Sequence, residues 1–225
     1  MGDLTVIFIT ASEIRERFAE YQRRVLREAA KGYPIISVSR KPLDFGTNIL
    51  DDGERNVSNI YRQMLRAAKI ATTEYVATAE DDCLYHGSHF SFARPKPDEF
   101  LYNQNRFALF TWGDPMYSWR NRKSNCSLIA PRKLLIEALE ERFAKWPHGT
   151  PANLTGELGR NMVDRNLGIT LRKSVEAFAE VSVVQFNHDA SSEDRQRSHR
   201  KKPGQIKVYD IFHWGKASEL VKHYA

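Results

Sequence analysis

The apolar positions of this chain fall into two rhythms. Leu4-Thr5-Val6-Ile7-Phe8-Ile9-Thr10 is a nearly continuous apolar run, the pattern of a central parallel strand covered on both faces. Beyond it, Ile14, Phe18, Tyr21, Val25 and Ala29 recur at helical spacing, which predicts a helix lying on the sheet. Ser12 is its expected N-cap, Glu13 and Glu16 suit the positive end of the dipole, and Gly32 is the expected stop. Ile35–Ser39 reads as a second strand and residues 43–55 as a loop. Ser58 is expected to cap a helix over Ser58–Ala71, in which Ile60, Tyr61, Met64, Leu65, Ala68 and Ala71 form one apolar face. Tyr75–Ala79 is a third short, buried strand.

The second half continues the alternation. Phe100–Phe110 reads as a strand with turn signals at Asn103 and Asn105, and Asn125–Ala130 as a short strand. Pro131 opens a helix with Leu134, Leu135, Ala138, Leu139 and Phe143 inward. Asn153–Asn166 reads as a Gly-containing helix or helix pair, Val181–Phe186 as a late strand and Ala217–His223 as a short amphipathic helix. This order predicts an α/β fold with a mostly parallel central sheet flanked by helices.

Composition narrows the picture only a little. A chain of 225 residues, 41% hydrophobic, suits one domain with a substantial core. No apolar run approaches a membrane span, and the N-terminus enters a strand without a basic and apolar leader, so a cytoplasmic protein without membrane contact is expected. Cys83 and Cys126 are too few for a disulfide framework and match no zinc spacing, so two unpaired thiols are expected. A net charge of +6 suits an anionic partner.

The chemistry concentrates where the strand Tyr75–Ala79 runs into Glu80-Asp81-Asp82. Three adjacent carboxylates repel one another unless a cation neutralises them. Mg²⁺ or Mn²⁺ prefers oxygen ligands and is commonly held by one or two carboxylates plus substrate phosphates. In open α/β sheets, ligands bind outside the carboxyl ends of the strands. Arg40, at the end of the second strand, is placed to pair two phosphate oxygens. Trp112, Trp119, Arg120, Arg122 and Lys123 interleave aromatic and basic groups, a pattern for stacking on an acceptor sugar or base. Arg195, Arg197, Arg200, Lys201 and Lys202 crowd a polar stretch that reads as a basic loop gripping a diphosphate or an anionic acceptor. Each of these groups has a plain structural alternative in core packing or a solvated surface.

Over roughly residues 4–130, the strand order and Glu80-Asp81-Asp82 resemble the GT-A fold nucleotide-diphospho-sugar glycosyltransferases of the family-2-like group. Their Asp-x-Asp motif binds metal and sugar nucleotide; Glu80 at its first position is a departure. The resemblance implies a Mn²⁺- or Mg²⁺-dependent transferase using a nucleotide-diphosphate sugar, UDP-sugar above all. It implies Asp81, Asp82 and His188 as metal ligands, with Thr10, Ala11, Arg62, Lys69 and Glu80 joining Asp81 and Arg40 on the nucleotide sugar. It also implies a carboxylate base in the later part of the chain, Glu157 in preference to Asp164. Residues 1–85 would then hold the donor, 86–189 the acceptor, and 190–225 the basic loop and a C-terminal helix.

Size, charge and general look resemble the phage-type transferases that place sugar on hydroxymethylated pyrimidines in DNA, including those found with hydroxymethyl-forming oxygenases. That likeness implies 5-hydroxymethylcytosine as acceptor, reached by base flipping, and a phage or bacterial host cytoplasm. A saccharide or lipid-linked acceptor is the alternative. A nucleotidyltransferase of the same fold would carry a Gly-rich basic loop where Thr10-Ala11-Ser12 stands. A non-catalytic DNA-binding role lacks a helix-turn-helix signature or a zinc finger.

Overall fold

The computed structural model describes residues 2–188 and 203–224. The chain forms β1 (Leu4–Thr10), α1 (Glu16–Ala29), β2 (Ile35–Ser39), β3 (Thr47–Leu50), α2 (Val57–Ile70), β4 (Tyr75–Glu80), β5 (Cys83–Leu84) and α3 (Gly87–Ser91). It continues as β6 (Glu99–Asn103), β7 (Arg106–Phe110), β8 (Tyr117–Trp119), β9 (Leu128–Pro131), α4 (Arg132–Lys145), α5 (Asn161–Leu167), β10 (Lys173–Ala177) and β11 (Val183–Asn187). Short pieces close it: β12 (Lys207–Val208), β13 (Asp210–Ile211), β14 (Gly215–Lys216) and α6 (Ala217–Leu220).

A seven-stranded sheet in the order β10-β6-β9-β4-β1-β2-β3 forms the centre. All its neighbouring pairs are parallel except those of β9, which runs against β4 and β6. The mostly parallel α/β expectation therefore holds. All seven residues of β1 are buried. Leu4, Val6 and Phe8 point to a core shared with Leu26 of α1 and Phe90 of α3. Ile7 and Ile9 point to the opposite core, under Met64 of α2 and Leu135 and Leu139 of α4. That two-sided cover explains the unbroken apolar run.

A second sheet, β12-β8-β7-β11-β5, lies beyond the acidic turn. Its β5 follows β4 after two residues, so the Glu80–Asp82 stretch is the junction of the two sheets. Among the described residues, no helix is long and apolar enough to cross a membrane.

Several local expectations are corrected. The helix begins at Glu16, with Arg15 at the N-cap position and no side-chain cap. Ser12 instead takes a left-handed φ of 56° and donates its N–H to Thr10 Oγ1, so the strand end closes on itself. The second helix is capped by Asn56, whose side chain accepts from Asn59 N–H; Ser58 Oγ accepts from Thr150 N–H. The 43–55 loop contains β3, a strand joined in parallel to β2.

Phe100–Phe110 is two strands in different sheets, β6 and β7. Asn103 makes the break, its Oδ1 accepting from the N–H groups of Asn105 and Ala179. Asn153–Asn166 is broken: a 3-10 turn at Ala152–Leu154 and the α-helix from Asn161 are helical, and Glu157 lies in the irregular stretch between them.

Candidate functional site

The C-terminal ends of β1 and β4 stand side by side, Ile9 opposite Glu80. Thr10 Oγ1 donates to Asp81 Oδ2 at 2.5 Å and so ties the end of β1 to the acidic turn. From below, Gln22 of the buried face of α1 donates Nε2 to the carbonyls of Glu80 and Cys83, at 3.2 and 3.0 Å. Tyr85 OH accepts from Glu80 N–H and donates to the Cys126 carbonyl. Asp82 is buried. Its carbonyl accepts from Phe186 N–H at 2.7 Å, its Oδ2 from Gln185 Nε2 at 3.1 Å, and its Oδ1 from Cys83 Sγ at 3.0 Å. Gln185 is held in turn by the buried Arg106, which donates Nη1 to Gln185 Oε1 at 2.7 Å. A relay thus runs from a fixed guanidinium through an amide to one carboxylate oxygen.

The turn is electrostatically loaded. Burial and then the neighbouring Asp82 push the Asp81 carboxyl up to about 7, against the pull of the Thr10 hydroxyl. Burial, followed by Cys126, Asp82 and Asp81, pushes Glu80 well above the ordinary carboxylate range, with Arg106 opposing. Proton uptake is one relief for this crowding, and a cation is the other. The donor set is carboxylate oxygen, which suits Mg²⁺ or Mn²⁺.

His188 follows β11, whose antiparallel pairing with β5 leads it back alongside the acidic turn. It is buried, with its ring 5.4 Å from that of Tyr224. Asp81, Asp82 and His188 do not form a preassembled trio. Among the described residues, the His, Cys, Asp and Glu side chains that bring three ligand atoms within 4.8 Å of one another are those of Glu80, Cys83 and Cys126. Ala11 follows Thr10 at the strand mouth, and Arg40 is exposed just past Ser39, the register partner of Thr10.

The aromatic and basic stretch lies on the second sheet. Phe110 pairs with Asn187 across β7 and β11. Trp112 packs edge-on against Phe110 at 5.4 Å, and the Arg120 guanidinium sits 5.3 Å from the same ring. With β11 alone between β7 and β5, this cluster is two strand spacings from β5, about 10 Å. Trp119 donates Nε1 to the Gln104 carbonyl, Lys123 donates to Ser174 Oγ and pairs with Glu176, and Arg122 is exposed.

Glu157 is partly buried and paired with Arg160 at 2.9 Å. Its flanking carbonyls are pinned, Gly156 O by Tyr61 OH and Leu158 O by Tyr102 OH. Tyr102 lies near the carboxyl end of β6, so the loop sits on the same sheet edge as the acidic turn. The other acid, Asp164, is buried and accepts from Arg172 N–H.

Two basic candidates point elsewhere. Lys69 pairs with Glu140 at 2.6 Å. It sits in the last turn of a helix that joins two parallel strands and so runs back to the opposite edge of the sheet. Arg62 donates to the Pro147 carbonyl and stacks on Phe143 at 4.3 Å. The candidates from Arg195 to Lys202 lie outside the described residues.

Sequence reasoning missed Gln22, Arg106 and Gln185. It also passed over Asp51, a buried carboxylate just past β3 that accepts from Asn59 Nδ2, Gln63 Nε2 and Arg66 Nη1 at 2.7, 2.6 and 2.8 Å. For Asp51 there was a signal: the Asp51-Asp52-Gly53 turn after the β-compatible Asn48-Ile49-Leu50. A cavity of about 850 Å³ opens between α1, His86 and the C-terminal segment around Trp214 and His223. None of Glu80, Asp81 and Asp82 lines it, so it does not mark the loaded carboxylates.

No protein-family profile matches this chain, and no curated protein matches it in sequence. Distant likenesses exist among solved structures. Staphylococcus aureus TarS with UDP-GlcNAc is 11% identical, with 86% of this chain and 60% of that one covered and a TM-score of 0.48. A Drosophila β-1,4-galactosyltransferase 7 variant with manganese, UDP-Gal and xylobiose is 14% identical, covering 97% and 79%, at 0.44. A nucleotidyl transferase from a Methanothermobacter is 12% identical, covering 77% and 87%, also at 0.44. At these scores the likeness is one of general α/β form, and the functional argument rests on the chain's own residues.

Proposed function

We propose that this protein is a metal-dependent glycosyltransferase that moves a sugar from a nucleotide-diphosphate donor, UDP-sugar first, to an acceptor hydroxyl. The single observation that carries this is the loaded Glu80–Asp82 turn at the carboxyl edge of the parallel strands. Its carboxylates, Asp82 buried and Glu80 and Asp81 half-buried, are held by neighbouring side chains, yet their charge is left uncompensated. Asp82 and Asp81 would hold Mn²⁺ or Mg²⁺, with His188 approaching from β11. Once bound, the ion supplies positive charge to the diphosphate leaving group. Thr10 fixes Asp81, and the Arg106–Gln185 relay fixes Asp82. Ala11 and Arg40 border the donor on the β1 and β2 side, and residues 1–85 form the donor half of the molecule.

The acceptor oxygen would bond to the anomeric carbon as the bond from that carbon to the diphosphate breaks, and the hydroxyl proton would pass to Glu157. Glu157 suits this because its flanking carbonyls are pinned while the carboxylate stays accessible. The Phe110–Trp112–Arg120 cluster supports acceptor binding about two strand spacings from β5. Together with the net charge of +6, it favours a nucleic-acid acceptor, for which 5-hydroxymethylcytosine in DNA is the proposed hydroxyl.

The test is calorimetric binding of a panel of nucleoside diphosphates and their sugar conjugates, with and without Mn²⁺, to this protein and to Asp82→Ala. Metal-dependent binding lost in Asp82→Ala is expected; no binding of any nucleotide would sink the reading. With a donor in hand, transfer to hydroxymethylated DNA but not to unmodified DNA is expected. Transfer to free saccharides instead would move the acceptor to that class.

A further inference from the structure

Beneath the acidic turn lies a second set of ligands of different chemistry. Cys83 and Cys126 are both fully buried and both free. The thiols interact with each other, although they are far apart in sequence and belong to different strand connections. Their sulfurs and a Glu80 oxygen all lie within 4.8 Å of one another. In a tetrahedral zinc site, metal–sulfur bonds of about 2.3 Å and metal–oxygen bonds of about 2.1 Å put the ligand atoms roughly 3.5–3.8 Å apart. The trio needs only a small inward movement to close on such an ion. Asp82 Oδ1, 3.0 Å from Cys83 Sγ, is within reach of a fourth place.

The charge around the trio points the same way. Arg106 is 1% exposed and close enough to act on both Glu80 and Cys126. Its Nε has no hydrogen-bond partner, which is costly for a buried cation. Two thiolates and the Glu80 carboxylate carry three negative charges. A divalent ion and Arg106 would balance them.

We infer that Glu80, Cys83 and Cys126 form a binding site for a thiophilic divalent cation of the zinc and cadmium class, directly under the acidic turn. Binding displaces the two thiol protons to solvent as the metal–sulfur bonds form. The site takes a softer ion than the carboxylates above it, and it shares Glu80 with them. It stands on its own residues. Its effect on donor binding alone rests on the transferase reading, in which the soft ion draws Glu80 and Asp82 away from Mn²⁺.

The experiment titrates the full chain, kept reduced with a phosphine, with cadmium. A thiolate-to-cadmium charge-transfer band is expected, saturating at one equivalent. It should vanish in Cys83→Ser and in Cys126→Ser, weaken at least ten-fold in affinity in Glu80→Gln and persist in Asp81→Asn. No band at one equivalent, or a band that survives either serine variant, overturns the site. Zinc-edge X-ray absorption on the wild-type protein needs no variant to fold: two sulfur neighbours are expected, and a shell of oxygen and nitrogen alone overturns it. If no nucleotide binds under any condition, the transferase reading falls and the cadmium band still decides this site.

Discussion

Two buried carboxylate sites occupy the same edge of the central sheet, and they solve the same problem differently. Asp51, at the end of β3, accepts hydrogen bonds from Asn59, Gln63 and Arg66, all on α2. Its charge is met by a guanidinium at 2.8 Å and two amides. Asp81 and Asp82, at the end of β4, receive one hydroxyl, one amide and one thiol donor between them, and no guanidinium pairs with either among the described residues. Asp51 is a finished structural joint between β3 and α2. The acidic turn is unfinished, and what it lacks is positive charge. In the proposed transferase, that uncompensated charge is what a bound cation would meet.

The contrast makes opposite predictions for the two sites. Asp51→Ala strands the donors of Asn59, Gln63 and Arg66, and it should cost about 2–4 kcal/mol in urea unfolding. Metal-dependent nucleotide affinity of the folded fraction should stay within about two-fold. Asp82→Ala should do the reverse. Its unfolding free energy should change little, because the lost hydrogen bonds are offset by relief of the crowding around Asp81. Mn²⁺-dependent nucleotide affinity should fall at least 100-fold, about 2.7 kcal/mol. A stability loss at Asp82 as large as that at Asp51 would erase the distinction.

The relay behind Asp82 sharpens the comparison at a smaller scale. Gln185 touches Asp82 and Arg106 but no other carboxylate of the turn. Gln185→Leu should therefore loosen Asp82 without removing it, weakening Mn²⁺-dependent binding about ten-fold, near 1.4 kcal/mol. Gln185→Glu keeps an oxygen for Arg106 but presents no donor to Asp82. It should weaken binding as much as the leucine variant does, which separates a positioning role from simple packing.

These relations mark where sequence reading works and where it stops. β1 and β4 were legible because burial on both faces leaves an unbroken apolar run. Glu80–Asp82 was legible because three adjacent acids at a strand end repel one another unless a cation meets them. Gln185 reaches Asp82 across 103 residues, and Gln22 reaches Glu80 across 58. Amides of this kind are everywhere in a sequence, and only the fold shows which ones reach a given turn. β10, Lys173–Ala177, escaped because it is an edge strand with mostly exposed positions and so shows no apolar alternation. Glu157, singled out by the resemblance, falls in the 153–166 stretch that reads as helical. The hydroxyls of Tyr61 and Tyr102 pin the carbonyls on either side of it, contacts from a distant helix and strand that no local propensity encodes.

The smallest effect is also the most diagnostic, because it carries a sign. The folded-state pKa of Asp81, about 7, lies above its ordinary value of 3.8. The folded protein therefore holds a proton that the unfolded chain has lost, and the metal-free protein should lose stability as pH rises from about 4 to about 7, then level off. Asp81→Asn removes this slope, so at pH 8 the metal-free variant should be more stable than the parent by on the order of 1 kcal/mol after solvent screening. The raised Glu80 adds a slope of the same sign that the variant keeps. Metal competes with the Asp81 proton, so Mn²⁺ affinity of the parent should climb with pH up to about 7 and then flatten. The check is thermal unfolding of both proteins across this range, with and without Mn²⁺. If Mn²⁺ flattens the parent's pH slope and leaves Asp81→Asn unmoved, the charge stored in the turn is the charge the cation answers. A parent whose slope is the same with and without Mn²⁺ would make the acidic turn a second Asp51, strained but structural.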